Sequence, residues 1–205
     1  MIVGNKVYEA IISIPVIIPT PQQLFDLQIE RLRSTGIITN PDEFLNLRRS
    51  LPESGLFLLF PQTNLSLSEL MVRVVVDGRR GQNRLDGQGQ HVKNIVKTPK
   101  RHYIVTDIED GREMLNISPA NAIQAFSQKK RYALTAKEGV FLAICFPEIL
   151  KHHFIDLCGS RCWSDGVIFL WLGSDRPELG WSSLGSASSS WGAASCGSRA
   201  RRGGS

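Results

Sequence analysis

The chain has 205 residues, 42% of them hydrophobic and 21% charged, with a formal net charge of +5. That size and balance fit one globular domain with short extensions, able to bury a core without staples. Four cysteines, Cys145, Cys158, Cys162 and Cys196, are too few for a disulfide scaffold at this length and read as reduced thiols of a cytoplasmic protein.

At the N-terminus, residues 7–18 (VYEAIISIPVII) are apolar but interrupted by Glu9 and Pro15. The run is shorter than the roughly 20 residues of a membrane span, and Ile18-Pro19-Thr20-Pro21 makes a poor signal-peptide cleavage site. It reads as a strand or extension over 1–19, and no membrane partner is expected. Thr20-Pro21-Gln22-Gln23 is a capping box with proline at the first helical position. Leu24, Phe25, Leu27, Ile29 and Leu32 then mark a helical stripe that stops at Gly36. Asn40-Pro41-Asp42-Glu43 opens a second, shorter helix, giving an αα-hairpin with Arg31, Arg33, Arg48 and Arg49 on its wet side.

Residues 56–60 (LFLLF) and 69–77 (ELMVRVVVD) read as strands, being rich in branched residues. Residues 78–90 show no apolar period, so 78–101 is expected to be a basic, mobile loop. Between 79 and 102 the chain carries Arg79, Arg80, Arg84, Lys93, Lys97, Lys100 and Arg101 against Asp86 alone, a local excess of six. Arg199, Arg201 and Arg202 add three more, which leaves −4 for the rest: a mildly acidic body with basic appendages. Gly87-Gln88-Gly89 lacks the third glycine of a dinucleotide fingerprint, and no phosphate-loop pattern occurs. The basic residues still suit a phosphate backbone.

Residues 102–108 read as a strand turned by Asp110-Gly111. A second helical pair follows. Ser118-Pro119 caps a helix with Ile123 and Phe126 inward, and Thr135-Ala136-Lys137-Glu138 is another capping box. Residues 154–158 and 167–172 read as strands. From Trp181 on, the chain is rich in Ser, Gly and Ala. The order of elements predicts an α+β fold: an N-terminal αα-hairpin and a mixed or antiparallel sheet with the second helical pair packed on one face. The domain is expected over 20–199, with a flexible tail at 200–205.

HHFIDLCGSRCW (152–163) packs two histidines and two cysteines into twelve positions. Cys158-x₃-Cys162 has a spacing that zinc accepts, but the second ligand pair is missing, so no metal and no cofactor is expected. Arg161 would favour a Cys162 thiolate, with His152 or His153 as base. The plainer reading is a strand and a turn with small buried thiols.

Several segments together resemble a family of uncharacterised bacterial proteins known only as a domain of unknown function. They are residues 107–123 (DIEDGREMLNISPANAI), 134–150 (LTAKEGVFLAICFPEIL), LCGSRC (157–162), PELGW (177–181) and SWGAASCGSR (190–199). The likeness is strongest over 103–199 and extends more weakly to Thr20. It implies that Trp181 to Arg199 is ordered, and it brings no activity. Where that family has a Cys-Trp and an Asn-Pro-His-Thr-Trp, this chain has Trp181-Ser182-Ser183 and Ser188-Ser189-Ser190-Trp191. A metal or catalytic role for the tail loses its residues here.

Two functions are carried forward. The first is a non-enzymatic binding or regulatory module for an acidic partner, nucleic acid or protein, through Arg79, Arg80, Arg84, Lys93, Lys97 and Arg101, with Trp181 and Trp191 as further contacts. The alternative is a small enzyme around a Gly159–Cys162 turn, using Ser160, Arg161 and Cys162.

Overall fold

A computed structural model describes residues 19–85, 92–163 and 165–200. The expected strand at 7–18, Asp86, Gly87-Gln88-Gly89, Arg201 and Arg202 lie outside the described residues.

Helix α1 (Pro21–Ser34) begins at the predicted box: Thr20 Oγ1 accepts from the Gln23 amide and Gln23 returns a bond to the Thr20 amide. Its buried face holds Phe25, Gln28 and Leu32. A 3₁₀ turn (Pro41–Phe44), capped by Asn40, runs into the one-turn α2 (Leu45–Arg48). Arg48 bridges back to Asp26 at 2.8 Å, closing the hairpin. Arg31 is not on the wet side: its guanidinium donates to the Cys145 carbonyl, one of the orphan acceptors at a helix C-terminus.

Strand β1 (Leu58–Phe60) is fully buried. Residues 69–77 depart from the strand expected there. Ser66 and Glu69 form a third capping box, which winds Leu67–Met71 into helix α3. Only Val75–Val76 (β2) is extended, paired with β3 (Arg79–Arg80) in a hairpin. Its turn is Asp77-Gly78 with φ of 49° and 77°, the left-handed pair that a two-residue hairpin requires and that Asp-Gly supplies cheaply. So Arg79 and Arg80 are in a tight hairpin and not in a loose loop. Gln82–Asn83 (β4) and Lys93–Asn94 (β5) are short strands on either side of the undescribed stretch.

Then come β6 (Tyr103–Glu109), α4 (Pro119–Gln128, capped by Ser118), β7 (Tyr132–Ala133) and α5 (Ala136–Cys145). β8 (Phe154–Cys162), β9 (Gly166–Leu172), β10 (Pro177–Ser183), β11 (Trp191–Ala193) and β12 (Ser195–Ala200) complete the order.

The strands make one antiparallel four-stranded sheet, β1-β6-β12-β7, and one mixed six-stranded sheet, β11-β8-β9-β10-β4 with β5 also on β8. The result is an α+β fold. The segment from Trp181 on is ordered, as the family resemblance implied, and one correction concerns the second helical pair. The Ser/Gly-rich segment is woven in: β11 lies parallel to β8, and β12 sits between β6 and β7. The second helical pair does not share a face. Strand alternation sends Ile155, Leu157, Ile168 and Leu170 to one side, where α5 lies in the main core. It sends Cys158, Val167 and Ala193 to the other, under Ala122 and Phe126 of α4. Helix α5 is buried along nearly its whole length, as a helix between two layers must be.

That burial includes a charge. Glu138 is 0% exposed. Its carboxylate takes the Thr135 amide at 2.8 Å, the Tyr103 hydroxyl at 2.7 Å, and a two-point Arg199 fork at 2.7 and 2.8 Å. Burial pushes this carboxyl upward, and the Arg199 guanidinium with the Thr135 and Tyr103 bonds outweighs it, leaving Glu138 below its ordinary range. Arg199, expected as a tail charge, is thus part of the interior. Asp156, also 0% exposed, has no hydrogen-bond partner on either carboxylate oxygen. Desolvation raises it to about 7.

A candidate anion groove at the sheet edge

The basic residues that looked continuous in sequence are divided between two edges of the large sheet. Lys93 pairs with Arg161 on the β5–β8 edge, with Lys97 and Arg101 exposed beyond it. Arg79, Arg80 and Arg84 lie at the other edge, where β4 runs parallel to β10 with Gln82 opposite Glu178 and Asn83 opposite Leu179.

Local structure fixes that second edge closely. The Gly81 amide donates to the Val74 carbonyl at 2.8 Å. A Cβ at Gly81 would sit 2.6 Å from the Met71 carbonyl oxygen, so only glycine lets the chain pass under α3. The Arg84 amide donates to Leu179 at 2.9 Å, and the Asn83 amide group donates to Ser68 at 3.0 Å. From the far end of the β9–β10 hairpin, Asp175 and Arg176 come alongside: Arg176 pairs with Asp175 at 2.7 Å, and Arg79 donates to the Asp175 carbonyl at 3.0 Å.

The result is an open groove of about 640 Å³ lined by Ser68, Val72, Arg80, Gly81, Gln82, Asn83, Arg84 and Arg176. Three guanidinium groups converge on it, and among the described residues no carboxylate lines it. Arg84 is anchored from behind by Glu178, whose side chain is only 6% exposed. That bond and its charge raise the arginine further. Arg80 has no ion pair or side-chain hydrogen bond among the described residues. Each guanidinium offers five N–H donors in a fixed fork, so Arg84 keeps donors beyond the one it spends on Glu178. Among the described residues the lining also contains no histidine, cysteine or acid. Such a lining can hold an anion.

The other sequence candidates are placed differently. Gly159–Cys162 is not a turn: β8 continues through it to Cys162, which pairs with Gly166 of β9, with a bulge between Leu157 and Arg161. Ser160 is fully buried. Its hydroxyl accepts from the Ala136 amide at 2.9 Å and donates to Asn94 at 2.8 Å. Arg161 curls onto the carbonyls of Cys158 and Ser160. All four cysteines are buried. Burial raises the Cys162 thiol, and pushes Cys145 and Cys196 up to about 12. His153 Nε2 meets the Asp110 carbonyl at 2.9 Å, so it faces away from a role as base to Cys162. Among the described residues no group of three or more His, Cys, Asp or Glu is placed to hold a metal, and no helix is long and apolar enough to cross a membrane.

The two tryptophans part company as well. Trp191 stacks within an aromatic cluster, 4.9 Å from Phe169 and 5.9 Å from Phe154. Alternation puts Trp181 on the other face, exposed and edge-on to Trp163 at 4.6 Å. Sequence reading missed Arg176, which is about 90 positions from its groove partners. The spacing of Arg80, Gln82 and Arg84 was the signal for an extended segment, since alternate residues share a side of a strand.

Residues 20–202 match a family of unknown function (DUF5701), and the chain belongs to that family. No curated protein and no solved structure matches it.

Proposed function

We propose that this domain is a non-enzymatic binding module that takes an acidic partner at the Arg80–Arg84–Arg176 groove. The observation that carries this reading is the unopposed Arg80 guanidinium beside two others in a concavity whose lining has no acid. Phosphate or carboxylate oxygens fit such a set because they receive several N–H donors at once. Lys93, on the far edge of the sheet, and Lys97 and Arg101 do not line the groove, which favours a compact acidic group over a long nucleic-acid track.

The test is titration of the full chain with tripolyphosphate, with a labelled oligoglutamate peptide and with labelled single-stranded DNA, at low and moderate salt. At least one probe is expected to bind, more weakly as salt rises. Arg80→Glu should lower that affinity tenfold or more, and Lys93→Glu should leave it unchanged. Failure of all three probes at low salt, or indifference to Arg80→Glu, overturns the reading. DNA binding that Lys93→Glu weakens as much as Arg80→Glu would transfer the function to nucleic acid.

A further inference from the structure

A second concavity, on another side of the molecule, has a different chemistry. Helix α4 ends in a Schellman turn: the Arg131 amide donates to Phe126 at 2.8 Å, and Lys130 takes the left-handed position with φ of 54°. Glycine is the unstrained residue there. β7 then leaves at once, with Tyr132 53% exposed. Across from it, the Ile95 amide donates to the Gly159 carbonyl at 2.9 Å, which brings Ile95, 55% exposed, to the same place. Between them lies a half-open groove of about 440 Å³. Ile123, Phe126, Ala133 and Cys158 line its apolar part.

Among the described residues the charged side chains that line it are Lys130 and Arg131, beside the hydroxyls of Ser127 and Tyr132. Arg131 is held by Asp107 at 2.6 Å and by Ser195 at 2.8 Å. Lys130 has no ion pair among the described residues. Among the described residues no carboxylate lines the groove. The volume falls in the range of small-molecule sites, which are mainly apolar with a few placed polar groups. Two large exposed hydrophobic side chains flanking one apolar hollow are what a binding face, and not an idle surface, presents.

We infer that this groove binds a small amphipathic carboxylate, its apolar body against Phe126 and Ile123 and its carboxylate at the Lys130 ammonium. The site is separate from the arginine groove and does not depend on it.

Octanoate, octylamine and octanol are the probes, titrated against the full chain and followed by side-chain methyl and aromatic NMR shifts. Octanoate is expected to saturate with shifts at Ile95, Ile123 and Tyr132, and octylamine to bind at least tenfold more weakly, with octanol between them. Lys130→Glu should weaken octanoate fivefold or more, and Lys130→Arg should keep it within twofold. Ser127→Trp, placed on the rim, should block all three probes while the thermal midpoint shows the variant folded. Arg80→Glu, in the other groove, should leave octanoate affinity unchanged. Octylamine binding as tightly as octanoate, an unaffected Lys130→Glu, or shifts that map elsewhere would overturn the inference.

Discussion

Glu138 and Asp156 are both buried to 0% exposure, in the two halves of the core. Glu138, at the start of α5, is surrounded by Thr135, Tyr103 and Arg199 and is held ionised. Asp156, in mid-β8 between Phe169 and Ala193, has no partner and is pushed up to about 7. Burial is equal in the two places, so burial does not decide what a carboxylate becomes. The donors within reach decide it.

The contrast is broken most severely by removing the cation. Arg199→Met leaves Glu138 charged and buried without its fork, and should cost about 3–5 kcal/mol, read as the shift in urea midpoint at neutral pH. The second test uses pH, and the two groups act with opposite sign. Glu138, depressed when folded, contributes stability that is present above its unfolded pKa and lost as pH falls below about 4. Asp156, raised when folded, contributes most below about pH 4. Its share is lost as pH climbs to about 7, at about 1.4 kcal/mol per pH unit and at most about 4 kcal/mol in all. Urea melts between pH 4 and 8 should show that decline, and Asp156→Asn should flatten it. A wild-type profile that rises across this window would refute the assignment.

Smaller effects sharpen the comparison. Tyr103→Phe removes one hydroxyl from a charged acceptor and should cost about 1.5–3 kcal/mol at pH 7, with less loss as falling pH protonates Glu138. Arg80→Ala, on the exposed rim, should move stability by no more than about 0.5 kcal/mol while affecting the binding assays, because its donors are not spent inside the protein.

What sequence reading recovered and what it missed divide along the same physical line. The caps at Thr20, Asn40, Ser118 and Thr135 all formed, because a hydroxyl or amide three positions or fewer from an orphan N–H is a local matter. The box at Ser66–Glu69 was equally local but was hidden by the valines that follow it, whose β preference pulled the whole of 69–77 into a strand. The order of the segment after Trp181 was implied by the family resemblance and was not legible in its composition. Its order comes from backbone ladders to β8 and β6, which small side chains neither advertise nor prevent. The Arg199–Glu138 pair, 61 positions apart, and Arg176 at the groove were beyond any window that reads neighbours. Gln28 is the same kind of case. Its side-chain amide accepts from the Leu59 amide at 2.8 Å and donates to the Phe57 carbonyl at 3.2 Å, standing in for a strand beside β1.

The position of β12 has a consequence for how this chain is made. It is the last described strand in sequence, yet it fills the middle of the four-stranded sheet, between β6 and β7. As the polypeptide leaves the ribosome at roughly 5–20 residues per second, β6 spends several seconds with one long flank bare. A bare flank is a template for a foreign strand. Newly made chains therefore pass through an interval of heightened stickiness that ends only when β12 slots home, and slow translation of the stretch between β6 and β12 would lengthen it.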